Sequence, residues 1–533
     1  MNTWLLLLPW LSPLLILSFV TTRAARWLPV LAVLPALVTA LTAHEDATTE
    51  LGWLLLGVHL ALDGTARLFL LYSSLAWLAA ALYLLLRPSA GTGKSSFVLC
   101  FLLAMAGNLL LILAADMLTF YAGFALMGLS AYGMIVAPAT ESAVSAGRRY
   151  LAWTIAGELA LFSGIVQLAS SGTGLLLADL GAGETPAAAM LLILLGFGVK
   201  MALPGLHFWL PPAYRAAPAA AAAVMSGPML SAGLLGWLRF LPPSTPGLAE
   251  WSLPVIVLGI TGALLGFSGG IVQRSARGAL AWSSIAKAGS MTAILGAALA
   301  APDAAPLVLA ALVLFSLHHL VVKAALFLGM GELEHSGRRG WLVAGLALLS
   351  LSLAGAPWTG GASAKARLTE ALGQAGFDSG LLFTAAAIAT AAVMARFLWL
   401  AARHEDRAAG VAPGWLAIAV PAAWLPFGLS QAGFSWSALL ALVAGILLFA
   451  VTRPLQCALP AWHGPAQIRV IFSQLARWRP ALSGRAGAML RGFSMRLAES
   501  RQQQGAAIMQ GALAGLLWLA LFAILLSTLV LSA

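Results

Sequence analysis

Lysine is rare in this chain of 533 residues, and most of its lysines lie where a charge is costly. Five of the 29 lysines and arginines are lysines. Four of these five fall inside apolar stretches long enough to cross a bilayer: Lys200, Lys287, Lys323 and Lys365. A lysine held in the membrane can give up its proton, whereas an arginine stays protonated. The four residues therefore predict a path for protons through the membrane interior.

Other titratable side chains lie in the same kind of stretch. Glu158 is the acidic residue nearest the middle of a predicted span, and His319 shares a helical face with Lys323, four residues later. Imidazole titrates near neutral pH and can pass a proton between neighbours. The candidate proton path comprises Glu158, Lys200, His207, His319, Lys323 and Lys365, with His318, Lys287 and Arg396 as accessory candidates.

A structural explanation exists for each candidate taken singly. A buried lysine or histidine can serve as a hydrogen-bonding contact between helices. Arg396, late in its span, can extend its side chain to the cytoplasmic surface. The set of lysines favours the functional interpretation, because chance would not place four of five in the membrane.

The composition fixes the class of protein. The chain is 61% hydrophobic and 9% charged, and its mean hydropathy is +0.94. Soluble domains are about 25% charged, so the chain is a polytopic membrane protein. Its net charge of +11 fits positive cytoplasmic loops better than a nucleic-acid partner. Cys100 and Cys457 match no metal-ligand spacing, and we expect no cofactor, no metal and no bond-making catalysis by this chain alone.

The elements that must position these residues are membrane-spanning helices, each of about 20 apolar residues. About sixteen apolar stretches of this kind follow one another along the chain. Those at 188–210 and 341–372 are interrupted by proline and glycine, as helices at transport sites can be. We therefore predict an all-α protein with two inverted five-helix repeats, each with a broken helix, in which Lys200 and Lys365 occupy comparable places.

The sequence also predicts the parts of the chain that precede and follow the repeats. A basic amphipathic lateral segment and an anchor helix follow the repeats. The predicted parts are N-terminal helices at 1–95, the repeats at 96–240 and 250–402, peripheral helices at 410–455, the lateral segment at 460–505 and the anchor at 507–533. Arginine pairs such as Arg148 and Arg149 alternate with acidic loops. This alternation predicts a multi-pass protein of the cytoplasmic (inner) membrane with its N-terminus outside.

Several motifs in a fixed order carry a family resemblance. They are GFGVKMALPGLHFWLPPAYRAAPAAAAAVMSGPMLSAG at 196–233, DMLTFYAGFALMGLSAYGM at 116–134, GGIVQRSARGALAWSSIAKAG at 269–289 and HHLVVKAALFLGMGEL at 318–333. Together they resemble the large antiporter-like membrane subunits of respiratory complex I (NADH-quinone oxidoreductase), Mrp-type cation/proton antiporters and formate hydrogenlyase-type complexes. The resemblance covers roughly residues 60–400.

The resemblance implies roles for individual residues. Lys200 matches the lysine of the first broken helix, Lys365 matches that of the second, and the helix with His319 and Lys323 matches the central relay. Two positions depart from the family pattern: Ala125 stands where the fifth helix has a glutamate, and Ser231 where the eighth often has a lysine or histidine. Glu158 on the next helix is then the displaced partner of Lys200.

These features lead to competing hypotheses about function. The first is a subunit in the lipid bilayer that translocates protons, or alternatively Na+. Its expected partners are other membrane subunits of a complex and a soluble module that drives translocation. The second is a structural subunit whose channel is degenerate because of Ala125 and Ser231. The third, an independent solute transporter, is disfavoured by the family motifs.

Overall fold

The structure is a computed structural model that describes residues 3–54, 57–87, 91–172, 174–180, 186–335, 339–403 and 435–458. The predicted span at 413–430, the lateral segment at 460–505 and the anchor helix at 507–533 lie outside these residues.

The described chain is almost entirely helical. Its α-helices in chain order are α1 Leu8–Leu15, α2 Leu28–Thr42, α3 Gly64–Leu86, α4 Ser95–Leu113, α5 Met117–Val136, α6 Glu141–Ser170, α7 Ala187–Lys200, α8 Leu210–Ala216, α9 Ala219–Ser226, α10 Pro228–Phe240, α11 Ser252–Ile271, α12 Ala276–Ala300, α13 Ala305–His335, α14 Arg339–Ala354, α15 Gly360–Gln374, α16 Gly380–Ala401 and α17 Trp436–Ala458. One antiparallel hairpin, β1 Ala47–Leu51 and β2 Val58–Leu62, joins α2 to α3. The predicted all-α class is confirmed.

Length and hydropathy identify the helices that can cross a bilayer. Within the described ranges, nine candidate spans are long and apolar enough, and shorter apolar helices such as α7 and α14 accompany them. The predicted spans at 188–210 and 341–372 are each divided, into α7 and α8 and into α14 and α15. The chain is therefore a multi-pass membrane protein.

A third division was not predicted. The stretch at 218–239 is two consecutive helices, α9 and α10, that meet at Gly227 with φ −97° and ψ −99°. Pro228 begins α10, where its missing N–H has no helical acceptor to lose. Every residue of α9 is buried, so this break lies inside the protein, where irregular backbone is tolerated.

The two predicted breaks share one backbone conformation. In both, two residues with positive φ flank a leucine or alanine followed by a proline. In the first they are Ala202 (52°) and Gly205 (84°), and in the second Gly355 (80°) and Trp358 (61°). The helix before each break ends with equivalent hydrogen bonds, Leu203 N–H to Gly198 C=O and Ala356 N–H to Leu351 C=O, both 3.0 Å. These are the bonds that close a helix at a left-handed residue.

The expectation that the two break lysines occupy comparable places is wrong. Lys200 is the last residue of α7, before its break, whereas Lys365 lies within α15, after the second break. The sequence already shows this difference, because Lys200 precedes Pro204 whereas Lys365 follows Pro357. The division into inverted repeats itself stays a prediction.

Candidate functional site

Lys200 is held at the end of α7 by two neighbouring helices. Its side chain is 6% exposed, and its Nζ donates a hydrogen bond to the Tyr150 hydroxyl on α6 at 3.1 Å. That hydroxyl donates in turn to the Gly128 carbonyl on α5 at 2.7 Å. The Nζ also lies 5.6 Å from the centre of the Phe124 ring. Lys200 thus has a hydroxyl acceptor and an aromatic face, both of which favour an ammonium group.

Glu158, the predicted partner of Lys200, faces the same part of α5. It is 6% exposed, and neither carboxylate oxygen has a hydrogen-bond partner among the residues that the structure describes. A Cβ atom built on Gly128 would lie 2.7 Å from Glu158 Oε1 and 3.7 Å from Lys200 Nζ. The two side chains therefore approach α5 at one residue. No ion pair joins them in the described part of the chain.

Of the two positions that depart from the family pattern, Ala125 lies beside this arrangement. It is one turn before Gly128 on α5, so it shares the face that Glu158 and Lys200 approach. Ser231 is buried on α10, and its hydroxyl has no hydrogen-bond partner within the described ranges. Glu158 thus brings a carboxylate from α6 to the face of α5 on which Ala125 lies.

Tyr150 is a site residue that the sequence analysis missed. It precedes Glu158 by eight residues, with Thr154 between them, so the three share one face of α6. The Thr154 Cγ2 would lie 3.2 Å from a Cβ on Gly128, which places this face against α5. The spacing of a tyrosine, a threonine and a glutamate at four-residue intervals was the available signal.

The second group of candidates centres on Lys323 of α13. Its side chain is fully buried, and its Nζ donates to the Leu280 carbonyl of α12 at 2.7 Å and to the Ser283 hydroxyl. His319 is one turn earlier and is also buried, and neither of its ring nitrogens has a hydrogen-bond partner in the described part of the protein. The predicted shared face of His319 and Lys323 is therefore inside the bundle.

His318 connects this group to the second break. Its Nε2 lies 2.9 Å from the Ser352 hydroxyl, two residues from the end of α14. Lys287 of α12 lies 5.1 Å from the centre of the Phe315 ring, which belongs to α13. Of the two accessory candidates, His318 thus faces the second broken helix and Lys287 faces the helix of Lys323.

Lys365 itself turns toward the break. Its Cδ would lie 3.8 Å from a Cβ on Gly355, and its side chain is partly exposed. A lysine stem that reaches back over the end of α14 can present its ammonium either to the interior or to water.

His207 lies between the two groups of candidates. It begins the short turn after the first break, is buried, and its ring centre is 4.4 Å from that of Phe208 and 5.5 Å from that of Trp282. Trp282 is the neighbour of Ser283, which binds Lys323. His207 thus connects the first break to α12, the helix whose Ser283 binds Lys323 of α13.

Arg396 does not extend to the cytoplasmic surface, and that expectation is wrong. Its guanidinium is buried and donates through Nε and a terminal nitrogen to the Gln273 carbonyl, at 2.9 and 2.7 Å. That carbonyl lies just beyond the end of α11. A cation is stabilising at the C-terminal end of a helix, where backbone carbonyls lack partners, so Arg396 has a structural explanation.

Two ion pairs at the end of α13 were also missed. Arg277 of α12 binds Glu334 with two hydrogen bonds, Nε to Oε1 at 2.8 Å and a terminal nitrogen to Oε2 at 2.7 Å. Arg87, just after α3, lies 3.4 Å from Glu332. Both pairs join residues that are distant in sequence, so the sequence alone gives no signal for them.

The donor set offers little to a metal ion. No group of three or more histidine, cysteine, aspartate or glutamate residues that could hold one is found among the described residues. The groups of the candidate proton path are lysines, histidines and one carboxylate, which are groups that exchange protons.

Comparison with known proteins gives relatives of one kind. A family model described as NADH:quinone oxidoreductase/Mrp antiporter, TM, matches residues 114–394. An uncharacterised protein of Mycobacterium tuberculosis is 32% identical over 297 residues, which are 53% of this chain and 46% of that protein. NADH-quinone oxidoreductase subunit N 2 of Roseiflexus castenholzii is 29% identical over 394 residues, 66% of this chain and 76% of the relative. The chain thus spans about half the length of the first relative.

The fold has a counterpart among solved structures. A chain of the Mrp complex from Dietzia sp. DQ12-45-1b superposes with a TM-score of 0.69 at 22% identity, over 98% of this chain and 63% of that chain. At this identity the likeness shows a shared fold. The family match includes Glu158, Lys200 and Lys323 and extends over more than half of the sequence. The chain therefore belongs to the NADH:quinone oxidoreductase/Mrp antiporter family of membrane proteins.

Proposed function

We propose that this chain is a proton-translocating subunit of a multi-subunit membrane complex. The observation that carries the proposal is the arrangement of Glu158 and Lys200 around Gly128. Two buried groups of opposite charge lie close together, yet no ion pair joins them within the described chain. Formation of that pair stabilises both charged forms, and its loss leaves each charge to the cost of burial. Making and breaking the pair therefore changes which group holds the proton.

A second step continues through α12 and α13. Lys323 is bound by carbonyl and hydroxyl acceptors, and His319 lies one turn away with free ring nitrogens among the described residues. Both lie one turn apart on α13, so a proton that arrives at one of them raises the energy of a proton on the other. Protons then pass along the row to Lys365.

Partner subunits provide the driving force in this proposal. A reaction in a soluble module changes the conformation or the charge next to the first pair, and that change shifts its equilibrium between paired and unpaired states. Any redox chemistry belongs to the partners. The family description names two kinds of parent machine, a quinone oxidoreductase and a cation/proton antiporter.

The test uses the purified complex reconstituted in liposomes with a pH-sensitive dye inside. Lys200→Ala and Lys323→Ala are each expected to reduce proton movement to the background rate while the complex still assembles. Lys94→Ala is the matched control, because Lys94 is exposed, and it should translocate at the wild-type rate. Full translocation by the Lys200→Ala complex would overturn the proposal. Sodium uptake in the same vesicles, if it replaced proton movement, would overturn the choice of ion.

A structural subunit is the second candidate function. The absence of a carboxylate at Ala125 and of a basic group at Ser231 favours it. A complex that translocates normally after Lys200, Lys323 and Lys365 are each neutralised would support this role.

Glu158→Gln tests whether Glu158 is the partner of Lys200, separately from whether the chain translocates protons. The amide keeps the shape of the carboxylate but cannot carry its charge. We expect a loss of translocation comparable with that of Lys200→Ala. Unchanged translocation in Glu158→Gln, with Lys200→Ala inactive, would show that Glu158 is not the partner.

The alternation of basic and acidic loops along the sequence supports one orientation in the membrane. We propose a cytoplasmic (inner) membrane location with the N-terminus outside. Cysteine labelling from outside intact cells would test it, with Trp53→Cys in the exposed hairpin turn labelled and Arg148→Cys protected. The opposite labelling pattern would reverse the orientation.

A further inference from the structure

We infer that the Tyr150 hydroxyl is the second docking position of Lys200, which the ammonium occupies when it is not paired with Glu158. This inference rests on the proposed function, since it assigns the unpaired state of the same switch. The Nζ of Lys200 is seated on that hydroxyl at 3.1 Å. Both oxygens of Glu158 have no partner among the residues described. The structure thus holds the unpaired arrangement.

The chemistry of the tyrosine suits an ammonium. A phenol has one hydrogen to donate, and Tyr150 donates it to the Gly128 carbonyl at 2.7 Å. Its oxygen therefore presents lone pairs to Lys200, and the lysine must be the donor. The Nζ is also 5.6 Å from the ring centre of Phe124. An aromatic ring face attracts a positive charge.

Gly128 makes the two positions neighbours. Its carbonyl fixes the Tyr150 hydroxyl, and the space beside its Cα is bordered by Glu158 Oε1 and Lys200 Nζ. Rotation about the four side-chain bonds of the lysine can carry Nζ from the hydroxyl to the carboxylate while the backbone stays in place. The ammonium then has an acceptor at each end of its movement, which lowers the cost of burying the lysine charge in both states.

The test is Tyr150→Phe in the reconstituted complex, because this change removes the hydroxyl and keeps the ring. We expect translocation to fall at least about tenfold, as for the loss of a hydrogen bond to a charged group. Tyr214→Phe is the matched control: its hydroxyl is also buried and donates to a backbone carbonyl, that of Met225, at 2.8 Å. Tyr214 makes no hydrogen bond to a lysine among those found in the described chain, and its variant should stay near the wild-type rate.

A spectroscopic signature separates docking from a packing role. With isotopically labelled tyrosine, the difference between wild type and Tyr150→Phe isolates the infrared C–O band of Tyr150. That band should shift in Lys200→Met and stay in place in Lys323→Met. A band that ignores Lys200→Met, or a Tyr150→Phe complex with full translocation, would overturn the inference.

The two levels of the proposal fail differently. If Lys200→Ala translocates normally, the proposed function itself is wrong. If Lys200→Ala is inactive while Tyr150→Phe is fully active, the function stands and the docking position is wrong. If Tyr150→Phe fails to assemble, the labelled-tyrosine C–O spectrum is compared among wild type, Lys200→Met and Lys323→Met; a band that shifts only in Lys200→Met supports the docking position, and an unchanged spectrum overturns it.

Discussion

Glu158 and Lys200 meet at Gly128, and no ion pair joins them in the described residues. A Cβ at that glycine would be 2.7 Å from the Glu158 carboxylate and 3.7 Å from the Lys200 ammonium. The position therefore needs the absence of a side chain, because both charged groups use the space. A carboxylate from α6 and a lysine from α7 can then interact across the bare backbone of α5 at Gly128.

The first prediction concerns Gly128 itself. Gly128→Ala should displace the Glu158 carboxylate, since real Cβ atoms do not approach an oxygen to 2.7 Å. We expect a loss of stability of about 1 to 3 kcal/mol from overpacking and slower translocation per assembled complex. Proton uptake in liposomes and the melting temperature of the purified complex measure the two effects.

Gly373→Ala is the control for this substitution. Gly373 is a helical residue of α15, and a Cβ added to it would meet no described atom within 4 Å. Its variant should match wild type in both assays, or gain slightly in stability because alanine favours the helix. Unchanged translocation in Gly128→Ala would contradict the role given to the space between Glu158 and Lys200.

The second prediction concerns the acceptors of Lys323. Its Nζ donates to the Leu280 carbonyl and to the Ser283 hydroxyl. Ser283→Ala removes one acceptor from a fully buried group, and a hydrogen bond to a charged group contributes about 1.5 to 3 kcal/mol. Translocation should therefore fall by roughly tenfold or more. Ser290→Ala on the same helix is the control, because its hydroxyl bonds to the Ala286 carbonyl at 3.0 Å; equal rates for the two variants would count against a functional Ser283.

The sequence predicts the buried lysines and the helix breaks at 188–210 and 341–372 for a physical reason. Charges and proline are costly inside a span, so their presence stands out from the apolar background. Tyr150 and Ser283 were not predicted because burying a hydroxyl costs little free energy, so serine and tyrosine occur throughout membrane helices. The break at Gly227 escapes because glycine followed by proline can also begin a helix. Arg396 was misjudged because its acceptor, the Gln273 carbonyl, is distant in sequence.

The third prediction is a pH dependence of stability that arises from Asp63. This residue caps α3 and lies just outside the candidate span Gly64–Leu86. Burial alone would raise the pKa of Asp63, but hydrogen bonding to Arg239, its charge and the backbone N–H groups of Ala66 and Thr65 lower the pKa below the ordinary 3.8. A lowered pKa means that folding favours the carboxylate. Its stabilisation is therefore present above the ordinary value and is lost as the pH falls through the lowered one.

Asp63→Asn tests this sign. At neutral pH the variant should be less stable by about 1 kcal/mol, because the negative charge at the start of α3 and the partly exposed ion pair with Arg239 are lost. The difference in melting temperature should shrink as the pH is lowered below 3.8. Asp303→Asn, at an exposed acid, should show no such trend. A difference for Asp63→Asn that stays constant down to the lowest pH would contradict the prediction.

The fourth prediction assigns Arg277 and Glu334 to stability and not to the proton path. Glu334 follows Lys323 by eleven residues on α13, a separation of roughly 16 Å along the helix. Its two hydrogen bonds hold α12 and α13 together, and Arg277 also donates to the Ala217 carbonyl at 2.7 Å. Glu334→Gln leaves a largely buried guanidinium without its counter-charge, which should cost about 1 to 3 kcal/mol.

A double-mutant cycle with Arg277→Gln measures this pairing directly. The double variant should be more stable than the sum of the single losses implies, because removing the second partner removes the uncompensated charge. Proton movement per assembled complex should stay near wild type in Glu334→Gln, in contrast to Ser283→Ala on the neighbouring helix. A Glu334→Gln complex that melts normally but fails to translocate would instead place this ion pair on the proton path.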